Sequence, residues 1–73
     1  MMMPQNIEAE ERVLGALVID PGALALIADT IRPEHFYKDL HRQIYQAMIH
    51  LYELNLPNDV FSVIDRLSER TNH

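Results

Sequence analysis

The side chains of this sequence that could do chemistry are chiefly glutamates near the N-terminus and histidines farther along. Glu8, Glu10 and Glu11 lie within one helical turn of one another. Paired carboxylates can perform acid–base catalysis, but no nucleophile accompanies these three. Glutamates at the start of a helix also complement the positive end of its dipole. We therefore interpret them as a helix start rather than as a catalytic site.

The four histidines raise the question of a metal site. His41 and Tyr45 share a helical face, and Glu34 and His35 precede them, but no HExxH pair or comparable ligand spacing is present. The sequence also has no cysteine for a Cys/His metal framework. We instead expect His41 to pack at the edge of a helical bundle and donate to a backbone carbonyl, with the other histidines solvated. No metal and no cofactor are predicted.

The sequence disfavours binding of nucleotides and nucleic acids. A phosphate-binding loop needs several glycines with Lys and Ser or Thr, and Gly15 and Gly22 are the only glycines. Six Lys and Arg against eleven Asp and Glu give a net charge of -5, which opposes binding to a phosphate backbone and favours a basic protein partner. The only cationic region either meets an acidic neighbour subunit or a phosphate or, as we favour, is a solvated loop and helix start. It consists of Arg32, His35, Lys38, His41 and Arg42.

The first half of the chain predicts two helices that meet at a tight connection. Asn6 is the expected N-cap of a helix over residues 7–19, and Asp20 the expected cap of a second helix over residues 21–31. Gly15 can allow a neighbouring helix to approach closely, at some cost in helix propensity. The expected buried stripe of the first helix is Ala9, Val13, Leu14, Ala16 and Leu17, and that of the second is Leu24, Ile27, Ala28 and Ile31.

The second half predicts a short helical turn and two more helices. The turn covers residues 34–36, and a third, central helix covers residues 39–55. Asp59 is the expected cap of a fourth helix that fades in the polar residues after Leu67. Asn58 and this polar end together suggest a frayed C-terminal edge. The expected apolar positions of these helices are Leu40, Ile44, Ala47, Met48, Leu51, Leu54, Val60, Val63, Ile64 and Leu67.

These elements predict an all-α fold, a small orthogonal or antiparallel bundle of four main helices plus a short helical turn. We divide the chain into a tail over residues 1–6, a head domain over residues 7–67 and a tail over residues 68–73. At 73 residues, the gain from apolar burial and the entropy lost on ordering the chain are nearly equal. We therefore expect the chain to associate with other copies or other proteins.

The sequence predicts a cytoplasmic protein. Its start, Met1-Met2-Met3-Pro4, lacks the basic region of a signal peptide. Its longest uninterrupted apolar run is too short to span a bilayer, so no membrane contact is expected.

An ordered series of short motifs resembles a known family. The motifs are Ile7-Glu8-Ala9-Glu10, Val13-Leu14-Gly15-Ala16-Leu17, Asp20-Pro21, Phe36-Tyr37, His41-Arg42, Ala47-Met48 and Pro57-x-Asp59. In order and spacing they resemble the N-terminal domain of DnaB-type replicative DNA helicases, over about Pro4 to Leu67. The hairpin, linker and ATPase domain that follow this head in the family are not in this sequence.

The resemblance implies a non-catalytic head domain that takes part in DNA replication. In the family, heads pair as dimers within a hexameric ring, form its collar and dock the C-terminal domain of primase, with the helicase loader as a further partner. The resemblance thus implies no enzymatic activity for this segment and no direct binding of nucleic acid. A stand-alone helical adaptor or inhibitor derived from a truncated helicase stays open as the alternative.

Six residues are candidates for protein interfaces. Glu8 matches the family motif and is the expected primase-facing residue, with the helix-dipole role as its alternative. Large amphipathic side chains that lose little rotamer entropy suit self-association, with core packing as the competing role of each. These candidates are Phe36, Tyr37, His41, Tyr45 and Tyr52.

Overall fold

The computed structural model describes residues 6–71, and the side chains of all of these except Val60, Arg70 and Thr71. The helices are α1 (Ile7–Ile19), α2 (Leu24–Ile27), α3 (Asp39–Glu53) and α4 (Val60–Thr71), and the 3-10 turns are Pro21–Ala23 and Pro33–His35. Residues 6–71 contain no strand. The predicted all-α class with four helices is confirmed. The division into a head and two tails stays a prediction, because residues 1–5 and 72–73 lie outside the described part.

The first helix begins and ends where the sequence predicts. The Asn6 side chain accepts a hydrogen bond from the Ala9 N–H at 2.9 Å, which satisfies one of the free donors of the helix start. At the other end the Asp20 N–H donates to the Ala16 carbonyl at 2.8 Å. Asp20 occupies the predicted cap position with Pro21 directly after it, but its side chain makes no capping hydrogen bond and the element that follows is a 3-10 turn.

The second helix is shorter than predicted. A 3-10 turn replaces its first residues, and regular α-helix covers only Leu24–Ile27. Beyond it, Thr30 N–H donates to the Ile27 carbonyl at 2.9 Å in a 3-10 pattern. Arg32 is extended (φ -103°, ψ 157°) because a proline follows it. Apolar residues keep helical spacing as far as Ile31, but the regular α-helix ends at Ile27.

The third helix ends two residues before the predicted Asn55, which has a left-handed φ of 58°. Asn is one of the few residues that tolerates this conformation. The Asn55 N–H donates to the Tyr52 carbonyl at 3.0 Å, and the Leu56 N–H donates to the Leu51 carbonyl at 2.9 Å. These two bonds are those of a Schellman motif, which satisfies carbonyls at a helix end.

The fourth helix is well anchored at its start. Asp59 Oδ1 accepts from the Ser62 N–H at 2.7 Å, which confirms the predicted cap. Asn58 is buried and its Nδ2 donates to the Met48 carbonyl at 3.1 Å, so the predicted fraying at this position is wrong. The helix also continues past Leu67 to Thr71, so the predicted fading there is wrong as well.

The core lies around α3, which contacts α1, α4 and the Pro33–His35 turn. This agrees with the prediction that the third helix is central. Four predicted apolar positions, Ala16, Leu40, Leu54 and Ile64, are exposed, and the side chain of Val60 lies outside the described part. The buried apolar side chains are Leu14, Leu17, Leu24, Phe36, Tyr45, Ala47, Met48, Leu51 and Val63. The buried faces of α1 and α3 therefore include residues that the apolar pattern did not predict to be buried.

Gly15 in the middle of α1 has no structural role within the described chain. A Cβ atom placed there meets nothing within 4 Å, and its φ is not positive. Glycine in a helix interior costs about 0.8–1 kcal/mol relative to alanine. The predicted close approach to a neighbouring helix is therefore not realised among residues 6–71.

Replacing Gly15 with alanine should stabilise the chain. Gly15→Ala removes backbone freedom from the unfolded state and creates no clash, so we expect the free energy of unfolding to rise by about 0.5–1 kcal/mol. Urea denaturation followed by circular dichroism measures it. The matched reverse change, Ala16→Gly on the same helix, should lower stability by a similar amount. A loss of stability in Gly15→Ala would show that the helix requires glycine there.

Candidate protein-interaction surface

A buried carboxylate joins the start of α1 to the start of α3. The Glu10 side chain is 0% exposed. Its Oε2 accepts from the Tyr37 backbone N–H at 2.6 Å. Its Oε1 lies 3.4 Å from the backbone nitrogen of Lys38 and 2.8 Å from His41 Nδ1. A carboxylate only accepts hydrogen bonds, so His41 Nδ1 carries the proton. Glu10 therefore fixes the backbone before α3 and the orientation of the His41 ring.

The environment of Glu10 keeps it ionised. Burial by itself raises the pKa of this carboxyl, but the backbone N–H of Tyr37, the His41 ring and the backbone N–H of Lys38 together outweigh burial. The pKa of Glu10 is therefore lower than its ordinary value. Hydrogen bonds to a buried anion are among the strongest in proteins, and this group makes all of them to a segment distant in sequence.

The aromatic residues next to this carboxylate form the core rather than a surface. The Phe36 ring centroid lies 5.0 Å from that of Tyr45 and 6.5 Å from that of His41, the latter in an edge-to-face arrangement. The Tyr45 hydroxyl donates to the Ile31 carbonyl at 2.6 Å. Burial raises the pKa of Tyr45, against the opposing charge of Arg32. The Tyr45 hydroxyl is therefore hydrogen-bonded within the chain, and the rings of Phe36, His41 and Tyr45 pack against one another.

The cationic segment before and within α3 is held by local contacts. His35 Nδ1 accepts from the Arg32 N–H at 3.1 Å. Arg42 donates to the Phe36 carbonyl at 3.2 Å and to Asp39 Oδ1 at 3.3 Å. Arg32, His35 and Lys38 are exposed as the solvated interpretation predicts, whereas His41 is buried. The contacts of Arg42 use donors that a bound anion would need.

A further contact links α3 to α4. Arg66 Nη2 donates to His50 Nε2 at 2.6 Å and Arg66 Nη1 lies 3.4 Å from Glu69 Oε1. His50 accepts here, so its proton is on Nδ1. The expectation that His50 is solvated is therefore wrong, because it is half-buried and bonded to α4.

Two kinds of apolar surface face outward. Ile19, Leu26 and Phe61 are each more than four-fifths exposed. Between α1, α3 and α4 lies a depression of about 230 Å³, which we call the apolar groove. Its lining includes Leu14, Gly15, Val18, Ile44, Ile64 and Leu67. Exposed apolar patches on small soluble domains commonly mark sites of interaction.

The described residues contain no group of three or more His, Cys, Asp or Glu side chains placed to hold a metal ion. Within residues 6–71, no helix is long and apolar enough to cross a bilayer.

Comparison with known proteins identifies the family. The model of the DnaB-like helicase N-terminal domain matches residues 2–73. The chain belongs to this family. It is 42% identical over 66 residues to the replicative DNA helicase DnaB of Nostoc sp., which covers 90% of this chain and 8% of that protein. It is 43% identical over 65 residues to the replicative DNA helicase DnaC of Bacillus subtilis, covering 89% of this chain and 14% of that protein.

The DnaB-like domain is similar to other replicative helicases as well. The DnaB protein of Geobacillus stearothermophilus is 40% identical over 65 residues, with 89% of this chain and 14% of that protein covered. The chain thus spans only a small part of the length of the relatives it matches. No solved structure matches it.

The structure separates the six predicted interface residues of the DnaB-like domain into two groups. Phe36, His41 and Tyr45 come together in the core, which favours the packing alternative for each of them. The expected bond from His41 to a backbone carbonyl is wrong, since its partner is Glu10. The other three remain exposed: Glu8 on α1, Tyr37 before α3 with 55% of its surface accessible, and Tyr52 near the end of α3 with 43%. Their interface roles stay predictions.

Sequence reasoning missed Glu10, which was grouped with the exposed glutamates. Its position was informative, because residues 10, 14 and 17 follow the spacing of one helical face, and Leu14 and Leu17 are both buried. A carboxylate on an apolar face calls for buried donors elsewhere in the chain. His41 could have been proposed as one, whereas the backbone donors carry no signal in the sequence.

Removing the charge of Glu10 should destabilise the DnaB-like domain. In Glu10→Gln the side-chain amide brings a donor to a position where only donors face it, so we expect a loss of about 2 kcal/mol in the free energy of unfolding. Urea denaturation measures it. Glu8→Gln is the matched control, since Glu8 is exposed and only pairs with Arg12 at 3.8 Å, and should change stability by less than about 0.5 kcal/mol. Equal effects would contradict the assigned role.

Stability should also depend on pH through Glu10. Its native pKa is below the unfolded value, so its contribution is complete above the ordinary glutamate pKa of about 4.3 and is lost as pH falls through the native pKa. The difference in unfolding free energy between the wild type and Glu10→Gln should therefore shrink below about pH 4. The lowered pKa of Asp59, caused by its hydrogen bonds with Ser62, is common to both proteins and cancels. A pH-independent difference would contradict the mechanism.

Proposed function

We propose that this domain is a non-catalytic protein-interaction head of a replicative DNA helicase, which supports assembly of the helicase ring through its collar and docks the C-terminal domain of primase. The observation that carries this proposal is the family match over residues 2–73, together with relatives that are named replicative DNA helicases. Contact with a helicase loader follows from the same family likeness. The domain acts by binding proteins.

The surface of the domain supports a role in association. Ile19, Leu26 and Phe61 expose most of their apolar area, and aromatic or large aliphatic groups of this kind anchor protein interfaces. Tyr37 and Tyr52 add exposed aromatic side chains. A chain of 73 residues with net charge -5 gains stability from covering such groups and attracts basic partner surfaces.

The absence of catalysis in this segment is part of the proposal. The sequence has no phosphate-binding loop, and no nucleophile accompanies its N-terminal glutamates. Glu10, the one buried carboxylate among the described side chains, is 0% exposed and bonded to Tyr37 and His41, so it cannot reach a substrate. The chemistry of the relatives therefore belongs to parts of those proteins that this chain does not cover.

Binding measurements test the proposal directly. Sedimentation equilibrium should show self-association of the purified chain, and isothermal titration calorimetry should show binding of the primase C-terminal domain encoded in the same genome, with a Kd of roughly micromolar order. ATP should leave the melting temperature unchanged, since only a ligand of the folded state raises it. Glu8→Lys should weaken primase binding about tenfold, whereas Glu34→Lys, an equally exposed charge reversal on the Pro33–His35 turn, should not.

Two results would overturn the proposal. A chain that stays monomeric and binds no primase at high concentration is not an interaction head of this kind. A chain that binds a full-length helicase and blocks its assembly would instead support the alternative, a stand-alone adaptor or inhibitor.

A further inference from the structure

The contact between α3 and α4 includes two side chains that can both carry a positive charge. Arg66 Nη2 lies 2.6 Å from His50 Nε2. A guanidinium has only donors and stays protonated in proteins, so His50 must be the acceptor. Imidazole accepts at Nε2 only when this nitrogen carries no proton. The contact therefore requires neutral His50 with its single proton on Nδ1, and a second proton on the ring would remove the acceptor.

The surroundings of Arg66 make a second positive charge unfavourable. Its side chain is 32% exposed, and its Nε is buried with no hydrogen-bond partner among the described residues. The 3.4 Å distance from Nη1 to Glu69 Oε1 is longer than an ordinary N–H···O hydrogen bond. Because the guanidinium is partly removed from water, a protonated ring 2.6 Å away repels it more strongly than at an exposed site.

The other charged groups around His50 do not replace this contact. His50 and Arg66 line a depression of about 360 Å³ together with Glu53 of α3 and Pro33 of the Pro33–His35 turn. Glu53 is exposed, so water screens its attraction for a protonated ring. From α4, Arg66 faces His50 directly and Glu69 only through Arg66. Pro33 and the remaining lining residues bring no charge.

His50 can bind a proton in the folded chain. The residue is half-buried and lines this depression. Histidine is the side chain whose charge ordinarily changes between about pH 5 and 8. Protonation puts an N–H of the ring against an N–H of Arg66, so the two groups must separate. The contact is thus made or lost by the binding of one proton.

Different contacts hold the two halves of α4. Near its start, Asn58 Nδ2 donates to a carbonyl of α3 at 3.1 Å, and Val63 is 5% exposed. Farther along, Arg66 bonds to His50, and the half-buried Leu67 packs against the core. Loss of the bond to His50 therefore weakens the attachment of the second half of the helix and leaves its start in place.

We propose that the contact between His50 and Arg66 is sensitive to pH. It holds the second half of α4, residues 65–71, on α3 while His50 is neutral, and it releases this segment when His50 binds a proton. Leu67 in this segment lines the apolar groove, so the shape of that surface changes with pH. The inference goes beyond the proposed function and does not depend on it, because the contact lies within the chain.

Hydrogen exchange measured by NMR tests the proposal on the wild type. The opened helix binds the proton more readily than the closed one, so the closed state gains stability as pH rises. Protection factors of the amides of residues 65–71, corrected for intrinsic exchange rates, should fall at least about fivefold from about pH 7.5 to about pH 5.5. Those of residues 62–64 should fall less than about twofold. Nitrogen-15 shifts of the neutral His50 ring should place its proton on Nδ1.

Three variants assign the pH response to this contact. His50→Gln supplies an amide oxygen that accepts from Arg66 at either pH, so the fall in protection should disappear. Arg66→Met keeps an apolar stem but removes the donor, so protection should already be about fivefold lower at about pH 7.5 and fall no further. His35→Gln is the matched control, an exposed histidine whose ring bonds to the Arg32 N–H, and should keep the wild-type fall. His41 is present in every variant, so its contribution is common to all.

Each of these measurements can overturn the inference. A ring proton on Nε2 in the neutral wild type would exclude the contact, and this result does not depend on the folding of any variant. Protection of residues 65–71 that is unchanged by pH would exclude release of the helix. Equal falls in the wild type and in His50→Gln would assign the pH response to another group. Circular dichroism confirms that each variant is folded.

Discussion

The structure depends on the ionised carboxylate of Glu10, which is enclosed in the interior of a very small domain. Its hydrogen bonds to the Tyr37 and Lys38 backbone and to His41 connect α1 to the segment before α3. An uncompensated charge in this position would cost more than the domain's small core can offset. Because all its partners lie in one short segment, the charge is tolerated only when α1 and α3 take one relative arrangement.

This arrangement decides which side chains are available to other proteins. It turns Phe36, His41 and Tyr45 inward, where they pack together beside the carboxylate. Tyr37, between them in sequence, is turned outward with its backbone N–H held by Glu10. The exposed apolar surface of this DnaB-like domain therefore consists of separate side chains and of the apolar groove, whereas three of the predicted interface residues belong to the core.

The sequence predicted local features well. Asn6, Asp59 and the apolar spacing located the starts of α1 and α4, because a capping side chain bonds to a backbone N–H only three residues away. The extent of α2 and the end of α3 were less accurate. The regular α-helix ends at Ile27 in α2 and at Glu53 in α3, where the left-handed Asn55 follows, although apolar residues at helical spacing continue to Ile31 and Leu54.

The sequence by itself determined the all-α class, the family likeness and the starts of α1, α3 and α4, since these follow from caps and periodicity within short stretches of chain. Only the tertiary structure decided which polar side chains are buried. Glu8 and Glu10 have the same side chain two positions apart, yet one is exposed and the other is buried against α3. The physical reason is that burial of a charge depends on donors brought together by folding, and backbone N–H groups are present at nearly every position of a sequence.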